Sequence, residues 1–110
     1  MIRVTIYVNE HHAYTGFDVE GHAGFSESGK DLVCSAVSML VFTTLNALEA
    51  FTEDETSCVS DEEEGTIQFR FRNRLSHDAE LLMKTMILGL EGLEDSSDYE
   101  PYVDMIFKEV

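Results

Sequence analysis

The stretch that most restricts this fold is Leu32 to Leu48, 17 consecutive residues without a charge. Val33, Val37, Leu40, Thr44, Leu48 and Phe51 fall on one stripe at helical spacing, and Ala36, Met39, Phe42 and Leu45 put apolar atoms on the other sides. A helix apolar nearly all round must be covered on most of its surface, by its own sheet and second helix or by another copy of the chain. The sequence leaves both open. The run is too short, and with its Ser, Thr and Asn too polar, for a good membrane span. Asp31 stands before it as an N-cap, and the spacing predicts a helix from there to about Phe51.

Strand signals surround this helix. Residues 2 to 8 alternate Ile2, Val4, Ile6 and Val8 against Arg3, Thr5 and Tyr7, the period of a half-buried strand. Asn9 to Ala13 reads as a turn carrying His11 and His12, and Tyr14 to Glu20 as the returning strand with Phe17 and Val19 inward. After the charges of Glu53 to Glu55 come a short strand, Thr56 to Ser60, an acidic turn, and a strand from Thr66 to Arg72 with Ile67, Phe69 and Phe71 on one side. Cys58, in the first of these, reads as a small core or sheet residue. Ser76 caps a second helix whose buried stripe is Ala79, Leu82, Met83, Met86, Leu90 and Leu93, with His77 at the surface. Pro101 stops any helical continuation, and Tyr102 to Lys108 closes the chain as a strand with Val103, Met105 and Phe107 on one face. The expected fold is therefore α+β, a single domain in the order β-β-α-β-β-α-β, its mixed or antiparallel sheet packed against two helices on one face.

Charge narrows the partners. Seven basic residues against 22 acidic ones leave a formal charge of -15. Such a surface repels phosphate backbones and anionic lipid, so direct nucleic-acid or membrane binding is not expected, whereas a basic partner would be drawn in. Two cysteines make no disulfide framework, and Met1 leads straight into a strand, so a cytoplasmic protein with reduced thiols is the simplest expectation.

The chemistry-bearing residues lie between Gly21 and Ser38. His22 ends the second strand, a loop bracketed by Gly24 and Gly29 follows, and Cys34 opens the long helix. Those glycines suit a loop that opens over the site. With Asp31 as N-cap, Cys34 is the third helical residue, among unpaired amides and at the positive end of the macrodipole, which favours thiolate. An imidazole beside it can take the proton, and the unpaired amides can hold an oxyanion. Asp31 can cap the turn or stabilise an imidazolium at His22. Ser38 is one turn beyond Cys34, where its hydroxyl reaches the thiol or bonds back to the Cys34 carbonyl. Each residue has a plainer reading: Cys34 an inert buried thiol, His22 a satisfied strand-end histidine. Zinc is not expected, because two ligands without a Cys-x-x-Cys pair fall short of a site.

Taken together, Gly21-His22-Ala23-Gly24, Gly29-Lys30-Asp31-Leu32-Val33-Cys34 and Ala36-Val37-Ser38 resemble the Prp family, the bacterial ribosomal-processing cysteine proteases. Ser35, where alanine is expected, is a small departure. The resemblance implies an endopeptidase that removes a short N-terminal extension, cut after aromatic residues, from the twenty-seventh large-subunit ribosomal protein. It implies Cys34 as nucleophile and His22 as general base, Asp31 and Ser38 in support, no cofactor, a homodimer, and a mobile loop between the two catalytic residues. Two other readings stay open on the residues themselves. One is a non-catalytic acidic module that binds a basic ribosomal protein, and the other is a cysteine hydrolase of small esters or thioesters.

Overall fold

The expected order is observed. Strand β1 (Ile2–Val8) and β2 (Tyr14–Glu20) lead to helix α1 (Ser28–Phe51), then β3 (Thr56–Asp61), β4 (Thr66–Phe71), helix α2 (His77–Glu94) and β5 (Val103–Glu109). The computed structural model describes residues 1–21, 28–61 and 63–110, with residues 28–31 described by their backbone only. The five strands lie in the order β3-β4-β2-β1-β5. Every neighbouring pair is antiparallel except β1 and β5, which run parallel. The sheet is therefore mixed, because the chain leaves β4 on one side and crosses through α2 to reach the opposite edge.

Side-chain alternation explains the layering. Val4 pairs with Val19, and Val19 with Ile67; Ile6 pairs with Phe17, and Phe17 with Phe69. All six are buried. Against this face α1 sets Val33, Val37, Val41 and Leu48, and α2 sets Ala79, Met83, Met86 and Leu90, in one continuous core. Each large side chain so covered contributes roughly 1.5–3 kcal/mol. The Phe17 and Phe69 rings meet tilted at 5.0 Å, and Phe71 stands edge-on to Phe69 at the same separation. By length and composition alone Leu32–Phe51, mean hydropathy 1.6, suffices to cross a membrane; in the fold one side of it covers the sheet.

Several expectations need correction. Helix α1 begins at Ser28, so Asp31 is its fourth residue and not the N-cap, and Gly29 lies in its first turn rather than in the preceding loop. The buried stripe runs through Val41 where Leu40 was expected, and Phe51 is exposed at the helix end. Leu32, Met39 and Phe42 are exposed on the side of α1 away from the sheet. Cys58 is exposed because β3 is an edge strand, and Phe107 is half exposed at the other edge for the same reason. Pro101 occupies a short 3-10 turn, Glu100–Tyr102, whose first turn requires no amide from it.

Ser76 caps α2 as expected, its Oγ accepting the Ala79 amide at 3.1 Å. The cap is itself held. Asp54, just after α1, accepts the Ser76 amide at 2.7 Å and its hydroxyl at 2.5 Å. One carboxylate thus ties the end of α1 to the start of α2.

Candidate active site

Cys34 lies on α1 with its side chain 6% exposed, at the edge of the core shared with Val33 and Val37. As the seventh residue of the helix its amide is inside the hydrogen-bonded ladder; only the amides of residues 28–31 begin the helix without a partner in it. Cys34 stands about 9 Å from the start of α1 at 1.5 Å per residue, whereas the field of a helix end fades within its first turn. The expected help from the macrodipole and from the Cys34 amide as an oxyanion donor is therefore withdrawn.

Helical register sets Asp31, Cys34 and Ser38 on one line of α1, at intervals of three and four residues. Ser38 is half-buried. Hydroxyl back-bonding of this kind is made by Thr44, Thr52 and Thr85, each donating to the carbonyl four residues earlier at 2.7–2.8 Å. His22 and Gly24 lie outside the described residues. The point from which His22 departs is well defined. Strand β2 is central, and Gly21 at its end donates to the Gly65 carbonyl at 3.1 Å. Gly21 adopts φ 81°, and a Cβ there would stand 2.5 Å from the Met1 carbonyl oxygen, so only glycine turns the chain out of the sheet at this point. Among the described residues no group of three His, Cys, Asp or Glu side chains converges as a metal site would require.

Cys58, the second cysteine, is exposed on the outer strand β3, yet its thiol faces the groove under α1, and that partial desolvation pushes it up, away from thiolate. It is a poor candidate for nucleophile.

One polar cluster went unseen in the sequence. On the face of the sheet opposite the helices, Asp18 accepts Arg70 Nη1 at 2.7 Å and Tyr7 Oη at 2.7 Å, while the Arg70 guanidinium lies 4.4 Å from the centre of the Tyr7 ring. The hydrogen bond to Asp18, then burial, hold the Tyr7 phenol above its usual range; the Asp18 bond likewise holds Arg70 up. The signal was present, since each residue takes the outward position beside core residues, but only strand order brings the three together.

A cysteine at the edge of the core on a helix of an α+β fold suits a thiol hydrolase, and the comparisons make the chain a cysteine protease. Residues 1–104 match the family model described as cysteine protease Prp, and the chain belongs to that family. The ribosomal processing cysteine protease Prp of Bacillus subtilis strain 168 is 35% identical over 98 residues, covering 86% of this chain and 88% of the relative. The crystal structure of an essential ribosomal processing protease Prp from S. aureus in complex with a substrate peptide superposes with a TM-score of 0.91 at 28% identity, covering 98% of this chain and 100% of that one. The same S. aureus protease in complex with a covalently linked product peptide gives a TM-score of 0.87 at 29% identity, with the same coverage.

Proposed function

We propose that this protein is a cysteine endopeptidase that removes the short N-terminal extension of the twenty-seventh large-subunit ribosomal protein, acting in the cytoplasm. Cys34 is the nucleophile and His22 the general base. His22 takes the thiol proton, the sulfur attacks the scissile carbonyl, and the tetrahedral intermediate collapses as His22 returns the proton to the leaving amine. Water activated by the same imidazole then cleaves the thioester. Asp31 and Ser38 flank the thiol along α1 and support the site, Asp31 by favouring the imidazolium and Ser38 by a hydroxyl within reach of thiol or substrate. The connection that contains Gly24 yields to the peptide.

The observation that carries this reading is the contrast between the two cysteines. Cys34 lies on the same helical line as Asp31 and Ser38 and one connection from His22, whereas Cys58 stands on the outer strand β3, at the edge of the sheet. The covalently linked product in the S. aureus relative supports a nucleophilic route. A charge of -15 supports a basic substrate by steering its encounter. The exposed Leu32, Met39 and Phe42 on α1 support a homodimer through that face.

Mass spectrometry of the extended ribosomal protein, incubated with this protein or with Cys34→Ala, tests the reading. One cut after an aromatic residue of the extension, absent with the variant, is expected. Cleavage that survives in Cys34→Ala would remove Cys34 from the mechanism. No cut by folded, reduced protein would leave a non-catalytic acidic module as the better description.

A further inference from the structure

Among the described residues strand β3 pairs with β4 alone, and every residue after Thr56 in it is exposed. The Arg72 amide donates to the Glu55 carbonyl at 2.9 Å, one step before the Thr56–Phe71 pair. Antiparallel ladders alternate between bonded and non-bonded pairs. Ser57, Val59 and Asp61 therefore turn their backbone groups inward to β4, and Thr56, Cys58 and Ser60 turn theirs to the open edge. The same three side chains point to the helix side, since Cys58 lies opposite Phe69 and Ser60 opposite Ile67. Beside the small Thr56 and Cys58, a groove of about 360 Å³ lies beneath the second half of α1, lined in part by Leu45, Leu48, Glu49, Glu53 and Phe69.

An open edge invites a further strand unless lysine, proline or inward charge blunts it. Strand β3 has no lysine or proline, and its one charged residue is the terminal Asp61. A second copy of this chain is a poor occupant. Across this edge it would set its own Glu53, Asp54 and Glu55 against the same three acids. An extended segment bearing Lys or Arg meets the opposite sign.

We propose that the outer edge of β3 and the groove under α1 form a docking site for an extended basic peptide segment, which joins the sheet as a sixth strand. The backbone groups of Thr56, Cys58 and Ser60 supply the main-chain hydrogen bonds, and alternate side chains supply selectivity. An apolar side chain of the segment enters the groove over Leu45, Leu48 and Phe69, while neighbouring cationic side chains lie against Glu49 and Glu53. Leu45 is about 16 Å along α1 from Cys34 at 1.5 Å per residue, so this surface holds a partner and takes no part in bond cleavage. The inference shares with the proposed function only the basic character of that partner.

The test is fluorescence anisotropy with a labelled ten-residue peptide that alternates lysine with valine. Saturable binding that falls as salt rises is expected. Ser60→Pro removes one outward amide and leaves the ladder to β4 whole, so it should weaken binding by roughly tenfold or more with the thermal midpoint retained. The double variant Glu49→Lys, Glu53→Lys reads the same site through charge, without proline, and should weaken binding comparably. An absence of binding to the folded protein, or binding unchanged in both variants, overturns the proposal. So does a dimer in sedimentation that Ser60→Pro dissociates, since the edge would then belong to a second copy. Binding is read at equilibrium with no bond cut, so either result leaves the cleavage assay to be judged separately.

Discussion

Asp18 and Arg70 meet at 2.7 Å on the uncovered face of the sheet, where the Arg70 side chain crosses over Gly16 of the neighbouring strand. A Cβ at Gly16 would stand 2.2 Å from the Phe69 carbonyl and 2.8 Å from Arg70 Cδ. The glycine therefore lets the guanidinium lie flat, reaching Asp18, the Phe17 and Phe69 carbonyls and the Tyr7 ring together. The Asp18 side chain is 12% exposed. Removing its partner strands a largely buried carboxylate.

Arg70→Met should accordingly destabilise the protein by about 1–3 kcal/mol, read as a lower urea midpoint. The double variant Asp18→Asn, Arg70→Met should recover part of that loss. If the double variant is no better than the single one, the cost lies in lost packing and not in the stranded charge.

The same cluster predicts an alkaline limit. The fold holds the Tyr7 phenol above its ordinary value of 10.0, first through its hydrogen bond to Asp18 and then through burial. A raised acid stabilises the fold fully below the unfolded value and loses that contribution as pH climbs through the folded one. Urea melts from about pH 8 to 11 should show stability falling more steeply in the native protein than in Tyr7→Phe.

At Asp54 the sign is reversed. Burial works to raise this carboxyl, but the bonds from the Ser76 hydroxyl and amide, with Thr52, outweigh it and hold the group below its ordinary 3.8. Its contribution is present above that value and disappears as pH falls through the lowered one. Asp54→Asn should therefore flatten the acid limb of stability against pH. Ser76→Ala, which removes the α2 cap itself, should cost about 1 kcal/mol at neutral pH.

Because α1 starts at Ser28, Asp31→Ala removes no N-cap and should change stability by less than about 0.5 kcal/mol. Peptidase activity reports its other role. A fall in kcat whose pH profile shifts, with the melting midpoint held, would show Asp31 acting through His22. A loss near 1 kcal/mol would return it to the cap.

Gly21→Ala should cost about 1–2 kcal/mol for the left-handed backbone and should reduce cleavage beyond that loss, since residue 22 departs from this bend. Activity retained at full level in the folded fraction would mean that the bend serves the sheet alone.

Much of this molecule is legible in its residues, because burial imposes period. Alternation marked Ile2, Val4 and Ile6, Phe17 and Val19, and Ile67 and Phe69 as inward, and all are buried. The spacing of Ala79, Met83, Met86 and Leu90 marked the covered side of α2 equally well. Cys34 was legible as a residue of the long helix, whereas His22 lies outside the described residues. Local sequence was weaker wherever two local solutions compete. Asp31 is a good cap by type, yet α1 begins three residues earlier, at Ser28.

The sequence by itself determined which faces are apolar, where each element lies, and how strong the charge is, since these follow from side-chain chemistry and from periods of two and 3.6 residues. Tertiary structure alone decided strand order. It placed β3 outermost with Cys58 exposed, set β5 parallel to β1, brought Tyr7, Asp18 and Arg70 into contact, and tied Asp54 to Ser76 across 22 residues. Those contacts join residues distant in the chain, and their free energy exists only once the whole core has closed.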